Sequence, residues 1–124
     1  MGGVSFASAD LLSYDLTTGV WAMFFDGSDV GVSVDVDAFS LDGDGTLLLS
    51  LGSDATISGF GAVDDADILR FTPAQLGPVT AGSFTMVLDG SDVGLDTLGE
   101  DIDVIGRSAD GRLFVSTANT WSVP

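Results

Sequence analysis

The hexapeptide Asp-Gly-Ser-Asp-Val-Gly stands twice in this chain, at Asp26 to Gly31 and at Asp89 to Gly94, and the segments around it repeat with it. Ala9-Asp10-Leu11-Leu12-Ser13-Tyr14 returns 57 residues later as Ala66-Asp67-Ile68-Leu69-Arg70-Phe71. Val20 to Phe25 matches Ser83 to Leu88 at a displacement of 63, the growth coming from the longer link Thr72 to Pro78. Asp35-Val36-Asp37-Ala38-Phe39 matches Asp101-Ile102-Asp103-Val104-Ile105 at 66, and Leu47-Leu48-Leu49-Ser50 matches Leu113-Phe114-Val115-Ser116 at the same displacement. Self-similarity at such a period means two copies of one supersecondary unit, which bury their apolar faces by stacking on each other.

Each unit holds four apolar runs of about six residues bounded by Gly, Asp, Pro and Ser, the pattern of strands joined by tight turns. No stretch carries helical periodicity. The expected fold is all-β: two tandem four-stranded antiparallel repeats, each the size of a β-propeller blade or of a β-solenoid coil. Unit 1 covers about 2–58 and unit 2 about 59–124, and the 124 residues form a single module with a small core.

The two ends extend the pattern. Thr56-Ile57-Ser58 matches Ser122-Val123-Pro124, and eight residues, Gly59 to Ala66, then lead into the next unit just as eight residues, Gly2 to Ala9, lead into the first. A join from Pro124 to Gly2 would therefore reproduce the internal junction, with Met1 as an added start residue. The expectation is a module that assembles with further copies of itself, closing into a ring or running as a head-to-tail filament.

In the second strand of each unit, Trp21, Met23 and Phe25 alternate with Ala22 and Phe24, and Phe84, Met86 and Leu88 alternate with Thr85 and Val87. Large apolar groups on both faces predict a strand sandwiched between sheets, and Leu47 to Leu51 and Leu113 to Ser116 carry the same message. Core is accordingly the expected home of Trp21. Tyr14 and Trp121 are the other aromatics able to stack on a sugar.

Charge narrows the partners. Nineteen acidic residues, all Asp except Glu100, face Arg70, Arg107 and Arg112, for a net charge of −16. That field repels nucleic acid and anionic membranes. No stretch is long and apolar enough for a membrane span, and Met1-Gly2-Gly3 lacks the basic and apolar regions of a signal peptide. Without Cys, His or Lys, a Ser-His-Asp triad, a thiolate nucleophile and a Schiff base are all excluded. Paired carboxylates are compatible with glycoside hydrolysis, but they recur in both units, whereas active sites usually break repeat symmetry, so no catalytic residue is assigned. Gly59-Phe60-Gly61 opens no helix and has no dinucleotide-binding spacing.

The carboxylates do support a metal reading. Asp26, Asp29, Asp35 and Asp37 lie within twelve residues, and Asp89, Asp92, Asp101 and Asp103 form the second set. Ca²⁺ takes several hard oxygen ligands of this kind. Asp35 and Asp37, like Asp101 and Asp103, fall at i and i+2 on one strand face, where they repel and raise each other's pKa unless a cation or donors offset the charge. The competing reading is turn chemistry: Asp caps its own loop through backbone N–H groups, and the glycines turn the chain. Turn chemistry is the first reading and Ca²⁺ the second; Asp42-Gly43-Asp44-Gly45 lacks the spacing and terminal Glu of an EF-hand and is assigned no metal.

Phe-Phe-Asp-Gly-Ser-Asp-Val-Gly, Asp-Ile-Asp, Asp-Gly-Arg-Leu and Ser-Val-Pro together resemble the tandem four-stranded, propeller-like repeats of large secreted or surface-attached microbial proteins. The resemblance implies a rigid scaffold or adhesion module and an extracellular or cell-surface parent protein. The resulting expectation is a non-catalytic structural module that self-associates. The alternative is a Ca²⁺-dependent binding module for a carbohydrate or protein ligand, and a glycosidase ranks third.

Overall fold

The computed structural model describes residues 3–96, 100–120 and 122. Among them the chain is all-β, with antiparallel strand pairs and no α-helix. Two hairpins open and close it: β1 (Leu11–Asp15) with β2 (Val20–Phe25), and β9 (Ile102–Arg107) with β10 (Leu113–Thr117). Between them lies a four-stranded sheet in the order β3-β4-β7-β8, made of β3 (Val36–Leu41), β4 (Leu47–Leu51), β7 (Ile68–Gln75) and β8 (Ala81–Leu88). Short strands β5 (Ala55–Ile57) and β6 (Gly61–Val63) form a small hairpin between β4 and β7. Each hexapeptide contributes a 3₁₀ turn, Ser28–Val30 and Gly90–Val93, closed by a left-handed glycine, Gly31 or Gly94.

The four strands of one sequence unit do not make one sheet. The complete sheet takes β3 and β4 from unit 1 and β7 and β8 from unit 2, and the β5–β6 hairpin spans the boundary at Ser58 and Gly59. Leu47, Leu48 and Leu49 of β4 pair with Phe71, Arg70 and Leu69 of β7, and this ladder joins the two units. The link Thr72 to Pro78 is partly strand, since β7 runs on to Gln75 opposite Gly82 and Ala81. A bulge between Pro73 and Gln75 accommodates the proline, which has no N–H to give to a ladder.

Three layers result. Leu47 and Leu49 of β4 and Phe71 of β7 pack against Leu11 of β1 and Phe25 of β2. Leu48 and Ile68 point the opposite way, into Ile102 and Ile105 of β9 with Leu113 and Val115 of β10. A third cluster, Val32, Leu51, Ile57, Val63 and Leu69 with Ala9, fills the end near the β5–β6 hairpin. Every residue of β4 is buried, as expected for an uninterrupted apolar strand covered on both faces. Ser50, the one polar residue of β4, donates from Oγ to the Ile102 carbonyl at 2.9 Å, which satisfies it between the layers.

Two packing expectations are corrected. Most of β2 and β8 is exposed or half-exposed, and Trp21 is 56% exposed. Apolar composition on both faces did not bring burial here because the packed layers do not cover both faces: Trp21 belongs to none of the core clusters and Phe84 is only partly covered by them. β10 alternates between half-buried and exposed where its counterpart β4 is wholly buried. Among the described residues the sheets close into neither a barrel nor a propeller.

Tight contacts hold the hexapeptide turns against the loops before β1 and β7. A Cβ added at Gly90 would lie 2.6 Å from the Ala66 Cβ and 2.7 Å from the Ala66 carbonyl oxygen, both on rigid backbone or at its root. Gly90→Ala is therefore expected to destabilise the fold by about 1–3 kcal/mol, the usual cost of overpacking. Gly43→Ala, with nothing within 4 Å of the added carbon, serves as the control and should stay within about 0.5 kcal/mol. Urea unfolding of both variants checks the difference; equal stabilities would mean that the turn is free to move.

Candidate functional site

The acidic residues divide by what they touch. Asp26 Oδ1 accepts hydrogen bonds from the Ser28 N–H and hydroxyl at 3.1 and 2.6 Å, and Asp89 Oδ1 accepts from Ser91 in the same way at 3.1 and 2.6 Å. Asp89 thereby caps its 3₁₀ turn, and Asp26 makes the same bonds from the residue before Gly27, where the first 3₁₀ turn is entered, which is the turn reading of the hexapeptide. Asp29 reaches into the other unit, where its Oδ2 accepts from the Thr80 N–H at 2.8 Å. Thr80 returns the connection, its hydroxyl accepting from the Asp26 N–H at 2.9 Å. Asp92 is exposed in the first turn of the second 3₁₀ segment.

Two carboxylates that the sequence reading left out of both sets hold the turns in place. Asp10 accepts from the Ala7 N–H at 2.7 Å and the Gly27 N–H at 3.0 Å. Asp67, 4% exposed, accepts from the Asp64 and Gly90 N–H groups, both at 3.0 Å. A short carboxylate with two main-chain donors tolerates such burial because hydrogen bonds replace its lost water. The signal was present in the recurrence of Ala-Asp ahead of Leu11-Leu12 and Ile68-Leu69.

The metal candidates are redistributed. Asp37, Asp101 and Asp103 each place a carboxylate oxygen within 4.8 Å of the others, because β3 packs on β9 across the layers. One carboxylate thus comes from the first sequence set and two come from the second. Asp35 lies close by without joining the cluster: its Cβ and the Asp37 carboxyl both flank Gly52 at 3.5 Å from where a Cβ would stand. Asp26, Asp29, Asp89 and Asp92 are in no such group among the described residues.

The cluster is electrostatically strained. Removal from water, then a hydrogen bond with the Asp37 carboxyl and the charges of Asp37, Asp65 and Asp103, push the Asp101 carboxyl up to about 6. Its Oδ1 is buried with no hydrogen-bond partner among the described residues. Asp64 is also raised, by burial first and then by Asp67 and Asp65. Asp15 and Asp44 are lowered instead by hydrogen bonds from Thr17 and Thr18 and from Thr46. Arg107 pairs with Asp42 at 2.7 Å, and Arg112 pairs with Asp110 at 2.9 Å, so neither neutralises the cluster.

A second surface feature is apolar. Tyr14 and Trp21 lie side by side with ring centroids 4.7 Å apart, and Phe6, Val20, Val104 and Phe114 are each more than half exposed. Trp121, named above with these aromatics, lies outside the described residues. No family model matches the chain, and no curated protein or solved structure matches it.

The raised pKa of Asp101 fixes a sign. The folded protein keeps a proton that the unfolded chain, near its ordinary value of 3.8, has already released. By linkage this group makes the fold less stable as pH rises from about 4 to about 6, and the full penalty remains above that. Asp101→Asn should therefore raise Tm at about pH 7 and change it little near pH 4. Thermal unfolding at the two pH values tests this; an equal shift at both would assign the effect to packing and not to charge.

Proposed function

We propose that the chain is a non-catalytic structural module that self-associates head to tail into a ring or filament of stacked, blade-like sheets. The observation that carries this reading is the division of the sheets. One four-stranded sheet is complete and takes two strands from each unit, while β1–β2 and β9–β10 remain as two-stranded halves. An isolated hairpin is marginal in water, and an open apolar strand edge is a template for further pairing. The exposed Tyr14, Trp21, Val104 and Phe114 lie on those two halves. The absence of His, Cys and Lys from the sequence also favours a non-catalytic role. A secreted or surface-attached parent protein is part of the same proposal, as are exclusion of nucleic acid by the charge of −16 and the lack of membrane insertion.

Size-exclusion chromatography with light scattering should give a defined multiple of the chain mass for a ring, or a broad distribution of multiples for a filament. Phe114→Asp, at a site 56% exposed in the single chain, should shift the protein to monomer while retaining its β circular dichroism. A stable wild-type monomer at high concentration sinks the proposal.

The Asp37–Asp101–Asp103 cluster favours a second reading, a Ca²⁺-dependent module for a carbohydrate or protein ligand. Three carboxylates supply part of the oxygen shell that Ca²⁺ takes, which is about six to eight ligands. Asp101 is raised first by removal from water and then by its Asp37, Asp65 and Asp103 neighbours, and a cation there would offset both. Calorimetric titration with Ca²⁺ after chelation should show binding heat and a higher Tm, both lost in Asp101→Asn. No heat and no Tm change remove the cation from the account, and a glycan panel run with and without Ca²⁺ tests the ligand.

A further inference from the structure

We infer that the partner of each open edge is the opposite end of a second copy of this chain, with β10 of one copy pairing antiparallel to β1 of the next to complete a sheet in the order β9-β10-β1-β2. This rests on the self-association reading and adds its polarity, register and contacts. The template is internal, since β4 pairs with β7 inside the chain and β10 and β1 are their sequence counterparts. Leu47↔Phe71, Leu48↔Arg70 and Leu49↔Leu69 are the internal pairs. Carried over by the repeat, Leu113 faces Tyr14 of the next copy, Phe114 faces its Ser13, and Val115 faces its Leu12. Among the described residues the outer edges of β10 and β1 have no ladder partner.

Side-chain burial follows the same map. Phe71 is fully buried, and its counterpart Tyr14 is 46% exposed. Leu48 is 1% exposed and its counterpart Phe114 is 56% exposed; Ala38 is 6% exposed and its counterpart Val104 is 57% exposed. The two core clusters explain why. Ile68, Leu88, Ile102, Leu113 and Val115 have the counterparts Leu11, Phe25, Val36, Leu47 and Leu49, so the cluster around β1–β2 repeats the cluster around β9–β10. Three of its expected members are absent, the counterparts of Ala38, Leu48 and Ile105. The first two are Val104 and Phe114, at the other end of the chain, and the third is Phe39, which would pack against them.

The acceptor side is short of contacts in the complementary places. Phe39 is half exposed, whereas its counterpart Ile105 is buried against Ala38 and Leu48. Val4, Phe6, Leu12 and Trp21 line an apolar cavity of about 330 Å³. Of their counterparts Gly61, Val63, Leu69 and Phe84, the last three pack in the core cluster that holds Leu51 and Ile57. A second copy presenting β10 therefore brings Phe114 to the face of Phe39, as Leu48 meets Ile105 within the chain, and a contact between unlike ends propagates to a ring or filament. The same map sets Asp103 beside Asp35 and Asp37 of the next copy, so the assembly should be prepared at moderate salt, which screens such repulsion.

The sequence has no Cys, so two single-Cys variants give a clean test. Ser13→Cys and Phe114→Cys chains, distinguishable by mass, are mixed under oxidising conditions after circular dichroism has confirmed that both fold. Directly opposed positions on antiparallel strands lie within disulfide reach, about 4.5–5.5 Å between Cα atoms. The expected product is the mixed disulfide, in excess over either homodimer. Ser116→Cys mixed with Ser13→Cys lies two residues out of register and should cross-link poorly. Homodimers of one variant, or preferred linkage through Ser116→Cys, overturn this pairing while light scattering still shows an assembly. A monomer by light scattering, including one whose Tyr14–Trp21 patch binds a glycan or another protein, overturns the self-association reading and this pairing together.

Discussion

Leu47, Leu48 and Leu49 of β4 meet Leu69, Arg70 and Phe71 of β7 in a ladder that joins one sequence unit to the other, and the remaining layers are arranged around it. β4 is apolar on both faces, so its sheet is satisfied only when covered from both sides. Leu47 and Leu49 draw the β1–β2 hairpin onto one face, and Leu48 draws β9–β10 onto the other. Each covering hairpin is itself half of the same pattern. The burial that stabilises the middle of the chain therefore leaves unsatisfied surface at its two ends, the physical basis for proposing assembly.

The aspartates have two opposed roles. Asp10, Asp26, Asp67 and Asp89 are held by main-chain N–H groups and hydroxyls, and they lock the hexapeptide turns to the loops ahead of β1 and β7. Asp29 ties the first turn to Thr80 in the second unit. Among the described residues Asp37, Asp101 and Asp103 have no such main-chain donors, and they crowd one another where β3 packs on β9. The layer packing that buries Ile102 brings them together, so the repulsion there accompanies the stack and is relieved by a proton or, in the second functional reading, by a cation.

The sequence showed the eight longer strands, the turns and the all-β class, but not the short β5–β6 hairpin, whose β6 lies in the stretch it read as the connection between units. Period-2 runs and Gly/Asp punctuation are local properties, written wherever the backbone needs them. Burial was less legible. Trp21 and Phe84 occupy equivalent places in similar runs, yet Trp21 is more than half exposed while Phe84 packs among Leu69 and Phe71. Only the presence or absence of a neighbouring layer separates them. The acidic sets also regrouped, since spacing along a strand places Asp101 and Asp103 together but does not say which carboxylate approaches from another layer.

The sequence alone carried the recurrence of Asp-Gly-Ser-Asp-Val-Gly at a displacement of 63 residues, with flanking segments displaced by 57 and 66, and it offered turn chemistry as the first reading of the aspartates. The tertiary structure decided which strands share a sheet, and it placed the sheet boundary inside each unit, between β2 and β3 and between β8 and β9. The reason lies in the nature of the two signals. Turn and strand preferences act over a few residues, whereas the partner of a strand edge is selected by burying Leu48 and Phe71 at once, a condition that depends on segments far apart in the chain.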